Sequence, residues 1–303
     1  MGKVIIAIHG LGNKPSKELL HKWGKMAIEE GLKQRGVKVE LPPVEIVYWA
    51  DLFYDQPQSL AEKDKNSPRY LAEVYIKAPK HYKVEKHEYR KMFSQLAKEF
   101  IYRIFLKKDY HLRYAFVSQK LLHKYFHELD VYLTGDNTLD SGFNKPVKDE
   151  IVHRLSAVLQ KHAGDDIMLV SHSMGTIIAF DVLSFVTKDI DVDTFVTMGS
   201  PLGAPFVISR IAQHYKKTYG LLKLQTPESV RRQWYNFSDI EDMIALDYKL
   251  SDDFAPNSKG VRCVDVLVKN NYVMNGVANP HKSYGYLRTP QFTEVLLNFL
   301  NHK

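Results

Sequence analysis

The run Asp166-Ile-Met-Leu-Val-Ser-His-Ser-Met-Gly-Thr-Ile-Ile-Ala-Phe180 constrains the fold of this chain more than any other stretch. Residues 167–170 form a short apolar block bounded by Gly164 and two acids, which predicts a buried parallel strand. Residues 176–186 are apolar almost all the way round, which predicts a buried helix. Only Ser171-His-Ser-Met-Gly175 separates the two, so the chain must turn sharply with Ser173 at the corner. Such a turn holds the serine in a strained backbone conformation and demands small residues two positions to either side. Gly175 meets that demand, and Ser171, small but carrying a Cβ, stands where glycine is usual: the pattern G-x-S-x-G is read as S-x-S-x-G.

The rest of the sequence predicts a sheet around this strand. Residues 4–8 are a first buried strand that ends in His9-Gly-Leu-Gly-Asn-Lys14, where glycines let backbone N–H groups point into a site. A helix over 17–35, stopped by Gly36, and a strand over 44–50 complete a β-α-β start, which implies a parallel sheet with right-handed crossovers. Asp130-Val-Tyr-Leu133 is read as a short return segment, and residues 145–162 as a helix. Strands are expected at 194–202, 232–237 and 261–268, with helices at 204–218 and 290–301. The fold class is therefore α/β, a mostly parallel sheet flanked by helices.

Between 53 and 129 the pattern changes. A polar, proline-broken connector over 55–68 leads into two amphipathic helices, one with Met92, Phe93, Leu96, Phe100 and Ile104 on one face, the other with Val117, Leu121, Tyr125 and Leu129. Residues 61–128 hold 16 of the 42 basic residues and 8 of the 35 acidic ones, whereas the remainder carries a net charge of −1. This reads as a helical cap, 53–129, inserted into a single domain spanning 1–303. An apolar underside that wide must cover something, and an acyl chain bound beneath it is the expectation. The basic exterior over 84–128 is either a solvated face or a peripheral contact with anionic membrane. Nucleic acid is not expected, because the basic residues alternate with a helix-period apolar face and no binding motif accompanies them. The lone Cys263 allows no intrachain disulfide or cysteine metal cluster, and neither metal nor cofactor is expected. No run reaches transmembrane length and the N-terminus goes straight into a strand, which predicts a cytoplasmic protein.

Serine is a weak nucleophile until a base takes its proton and a carboxylate orients that base. The strand–turn–helix serine resembles that of the α/β hydrolases, and in their order the acid and then the histidine follow in the chain. Of 13 histidines only His214, His281 and His302 lie beyond Ser173. His214 falls in a helix and His302 in the C-terminal tail, which leaves His281, in a loop between the last strand and the last helix. The acid belongs in the loop after the strand over 232–237, where Asp239, Glu241 and Asp242 stand; Asp242 is favoured over Asp239 because it lies a few residues past the strand end. Backbone donors for an oxyanion would be Met174, after the nucleophile, and Leu11, in the first loop. His9 and His172 border strands and are read as structural.

Five motifs together, His9-Gly-Leu-Gly-Asn13, Ser171-His-Ser-Met-Gly175, Gly199-Ser-Pro-Leu202, Trp234-Tyr-Asn-Phe-Ser-Asp-Ile-Glu-Asp242 and His281-Lys-Ser-Tyr284, resemble the α/β-hydrolase superfamily, on its bacterial lipase and esterase side. The resemblance covers 1–52 and 130–303 and leaves the cap out. In such relatives the fourth motif commonly continues as Asp-x-x-Asp-Pro; here the second Asp is Asp242, and Met243 replaces the proline. The resemblance implies a serine hydrolase of carboxylic esters, lipid esters among them, acting through an acyl-enzyme. The same groups would also serve a thioesterase, an amidase or an acyltransferase, and a silent hydrolase fold used as a binding module is the alternative of another class.

Overall fold

The computed structural model describes residues 2–79, 127–134, 146–220, 224–245 and 247–302. Six strands form one sheet in the order β2-β1-β3-β4-β5-β6, and every neighbouring pair is parallel. The strands are β1 (Lys3–Ile8), β2 (Val44–Val47), β3 (Asp166–His172), β4 (Val192–Met198), β5 (Val230–Asp239) and β6 (Cys263–Val268). β3 and β4 are buried nearly from end to end, as central strands covered on both faces must be.

Helices cover both faces. On one side α1 (Lys17–Gln34), α6 (Ser283–Leu287) and α7 (Pro290–Asn301) bury Trp23, Ile28, Tyr284, Phe292 and Phe299 against Ile5, Met168 and Val170. On the other, α2 (His127–Thr134), α3 (Val147–Lys161), α4 (Met174–Asp181) and α5 (Pro205–Tyr219) bury Tyr132, Ile151, Ile177 and Val207 against Ile6, Ile8 and Leu169. The helix ends are encoded locally. Ser16 caps α1 by accepting the Leu19 N–H, and Gly36 stops it with a φ of 72°. Thr289 caps α7, with Pro290 at its first position.

Two expectations need correction. Asp130-Val-Tyr-Leu133 is part of α2 rather than a return of the chain to the sheet; Leu129, Val131 and Tyr132 are buried against the core, and the Tyr132 hydroxyl donates to Asp181 at 3.0 Å. The helix expected over 176–186 closes as a π-turn over Val182–Val186, where Thr187 returns its N–H to the Val182 carbonyl. Of the expected cap, 80–126 lies outside the described residues, and with it the helix over 92–105, most of that over 117–129 and the acyl groove expected beneath them. Among the described residues no helix is long and apolar enough to cross a membrane.

The strand order locates the site. The chain leaves β1 outward to β2, then crosses back over β1 to start β3, so the loops after β1 and β3 run to opposite faces and open a crevice at their carboxyl ends. Those loops are residues 9–13 and the turn at Ser173.

Candidate active site

Ser173 sits at φ 54° and ψ −130°, off the end of β3 and at the cap of α4. A non-glycine residue holds that conformation only when its surroundings dictate it. Here they do. Ser173 N–H donates to the Met198 carbonyl at 3.0 Å, its own carbonyl accepts from the Thr176 hydroxyl at 2.7 Å, and that hydroxyl meets Ser200 Oγ at 2.9 Å. A Cβ on Gly175 would lie 2.6 Å from the His9 carbonyl oxygen, so only glycine lets the turn press against β1. Ser171 keeps its Cβ without conflict: it is fully buried, and its hydroxyl donates to the Val196 carbonyl at 2.8 Å.

The histidine and the acid meet directly. His281 Nδ1 lies 2.9 and 2.8 Å from the two oxygens of Asp242. The Asp242 side chain has no exposure to water, and its other partners are the Tyr286 hydroxyl at 2.7 Å and the Ile244 N–H at 2.9 Å. Asp239 is occupied elsewhere, accepting the N–H groups of Glu241 at 2.9 Å and Asn270 at 2.6 Å, and so builds the loop rather than touching the histidine. Gly199, at φ 54°, makes the meeting possible. A Cβ there would lie 2.7 Å from Asp242 Oδ2 and 2.9 Å from His281 Nδ1. Ser173 and His281 line one cavity, with no hydrogen bond between them among the described residues. Nucleophile and base commonly stand slightly apart until a substrate draws them together.

Both histidines read as structural brace the site. His9 stacks on Trp49 at 4.7 Å, accepts the Trp49 N–H at Nε2 and bonds the Gly10 carbonyl through Nδ1; burial, and then the charge of Lys14, push its pKa down to about 3. His172 lies 4.7 Å from the His281 ring and bonds the His281 carbonyl through Nε2 at 2.7 Å. Desolvation, and then the neighbouring His281, hold it well below the usual histidine range, so it is a neutral strut under the loop. From the other side Asn279 accepts the His281 N–H, while Glu73 holds Asn279 and Lys282 at 2.7 and 2.9 Å.

The first loop is held by residues whose role the sequence does not announce. Gly12 N–H donates to Glu128 of α2 at 2.9 Å, and Lys14 Nζ donates to the carbonyls of Leu11 and Gly12. Desolvation, and then the charge of Lys282, bring Lys14 down to about 7. Gly10 allows the loop to touch Ser173, since a Cβ there would lie 2.5 Å from Ser173 Cβ. Among the described residues the N–H groups of Leu11 and Met174 have no protein acceptor, in contrast to that of Gly12. Lys14 and Tyr286 stand beside motifs and Glu128 beside none; that they brace the site is a property of the topology. Asp247, Asp252 and Asp253 bring carboxylate oxygens within 4.8 Å of one another, but no histidine or cysteine joins them and none lines the Ser173 cavity.

No protein-family model matches the chain, and a search of curated proteins finds no relative.

Proposed function

We propose that this chain is a serine esterase of the α/β-hydrolase type, with Ser173 as nucleophile, His281 as base and Asp242 as the orienting acid. The observation that carries the reading is the bond of His281 Nδ1 to a carboxylate with no other solvent, in the cavity that also opens on Ser173. That bond fixes the tautomer: with Nδ1–H on Asp242, Nε2 is left with a lone pair to accept a proton.

The chemistry follows. Ser173 Oγ adds to the ester carbonyl while its proton passes to His281 Nε2, and the carbonyl oxygen becomes an oxyanion. The N–H groups of Leu11 and Met174 receive that charge, since they have no acceptor among the described residues. The carbon–oxygen bond to the alcohol breaks, and His281 returns the proton to the departing alkoxide. Water, deprotonated by the same histidine, then releases the carboxylic acid from Ser173. Asp242 stays ionised throughout and stabilises the imidazolium.

Hydrolysis of p-nitrophenyl acetate by the wild-type chain and by Ser173→Ala tests this. The expected outcome is turnover by the wild type and none above background for the variant, with both equally folded. Equal turnover by the two would remove Ser173 from the mechanism.

A further inference from the structure

The cavity at Ser173 does not end there. It has a volume of about 720 Å³, within the range of ~300–1,000 Å³ usual for ligand sites. From Ser173 and His281 it runs between the sheet and α1. Its floor is Ala7 and Ile5 of β1, Val44 and Ile46 of β2 and Val170 of β3; its roof is Leu20, Gly24 and Ile28 of α1, with His21 and Lys25 of the same helix at its margin. Strand register puts the floor on one face, because Ile5 pairs with Val44, and Ala7 with Ile46 on one side and Val170 on the other.

Three features mark this as a built channel and not loose packing. Ala7 is partly exposed, although β1 is bonded to a strand on each side and lies beneath a helix. Residues so placed in a parallel sheet are ordinarily sealed, and a smaller side chain among Ile5, Ile46 and Val170 leaves the gap open. Opposite, Gly24 occupies the middle of α1, where glycine is disfavoured, and a Cβ added to it would meet nothing within 4 Å. A second cavity, of about 370 Å³ and lined also by Lys17, Glu18 and Glu45, shares His21, Val44 and Ile46 with the first and lies at the β2 edge of the sheet.

We infer that this channel holds the acyl chain of the substrate, and that the esters cleaved are those of straight-chain fatty acids of medium length. The inference rests on the esterase reading of Ser173. The mouth supplies the polar groups that a carbonyl needs, while the floor offers only apolar side chains, which suits a hydrocarbon and penalises a polar acyl group. Along β3, Met168, which pairs with Ile5, and Ser173 are five residues apart. At about 3.3 Å per residue this is roughly 16 Å of channel. An extended chain of carbon–carbon bonds, each advancing about 1.25 Å, fills that length with roughly a dozen carbons.

A p-nitrophenyl ester series from acetate to decanoate, together with fluorescence titration by dansylaminoundecanoic acid, tests the inference. Wild-type kcat/KM is expected to rise by about fourfold per methylene over the shorter esters, the factor for burying each one. Gly24→Leu, which fills the roof with a good helix former, should lower the octanoate-to-acetate ratio of kcat/KM at least tenfold and abolish probe binding. Ser173→Ala should still bind the probe. Acetate turnover that does not rise with chain length, with no probe bound, overturns the channel and leaves the esterase reading standing. Probe binding that Gly24→Leu removes, in a chain that cleaves no ester, upholds the channel as an acyl site and defeats the esterase reading. A chain-length preference and probe affinity unchanged in Gly24→Leu would place the acyl group elsewhere and overturn the inference.

Discussion

A carboxylate out of reach of water must find its partners in the protein, and Asp242 finds His281 Nδ1, the Tyr286 hydroxyl and the N–H groups of Ile244 and Ala245. Each donor fixes where the two oxygens point. At Asp239 burial raises the carboxyl pKa, against the N–H groups of Glu241 and Asn270, which lower it. The two acids thus have separate work three residues apart. Asp242→Asn is expected to lower kcat about 10⁴-fold with little change in fold, because an amide opposite Nδ1 favours the wrong tautomer. Asp239→Asn should instead lower the midpoint of urea unfolding and cost less than about tenfold in kcat. Steady-state kinetics on both variants decides the assignment, and the reverse ranking would transfer the role to Asp239. The sequence favoured Asp242 from its loop position and from the resemblance to Asp-x-x-Asp-Pro; the Tyr286 bond, made across 44 residues of chain, has no local signature.

At the scale of elements, the site depends on how closely the loops after β1, β3, β4 and β5 approach one another. Gly199 is doubly constrained, since its φ is positive and the space a Cβ needs is already taken by Asp242 and His281. Gly199→Ala should therefore push the pair out of place and reduce kcat by about 100-fold or more, the scale on which 1 Å of misplacement acts. A variant with wild-type kcat would show that the loop yields freely. The strands, the turn at Ser173 and the larger helices were legible in the sequence because hydrophobic period and glycine placement are local signals. The segment Asp130-Val-Tyr-Leu133 was not, since four apolar-rich residues fit a strand or a helix equally and only burial of Tyr132 beside Asp181 selects the helix. The channel beneath α1 could not be read either. Gly24 carries no local signal of a cavity, because its meaning depends on Ala7, which lines the same space from a different element.

For the molecule as a whole, several groups at the site are held uncharged, and that couples stability to pH. His9 takes a proton only near pH 3 in the folded protein, against about 6.5 when unfolded. Between those values the unfolded chain binds the extra proton, so stability falls as pH is lowered through that window. His172 acts in the same direction. Lys14 extends the trend upward: folded at about 7 and unfolded at about 10.4, it adds stability as pH rises across that interval. Calorimetric melts should accordingly give a Tm at pH 4.5 below that at pH 7.5, and His9→Gln should flatten the difference; a Tm higher at pH 4.5 would contradict the assignment of neutral histidines. The central claim is that this α/β architecture presents Ser173 as an activated nucleophile, and covalent labelling tests it most directly. Intact mass spectrometry after treatment with a fluorophosphonate should show one adduct per wild-type chain, mapped to the peptide that contains Ser173, and none on Ser173→Ala or after prior unfolding. A wild-type chain that stays unmodified, or an adduct that persists on Ser173→Ala, would contradict the account.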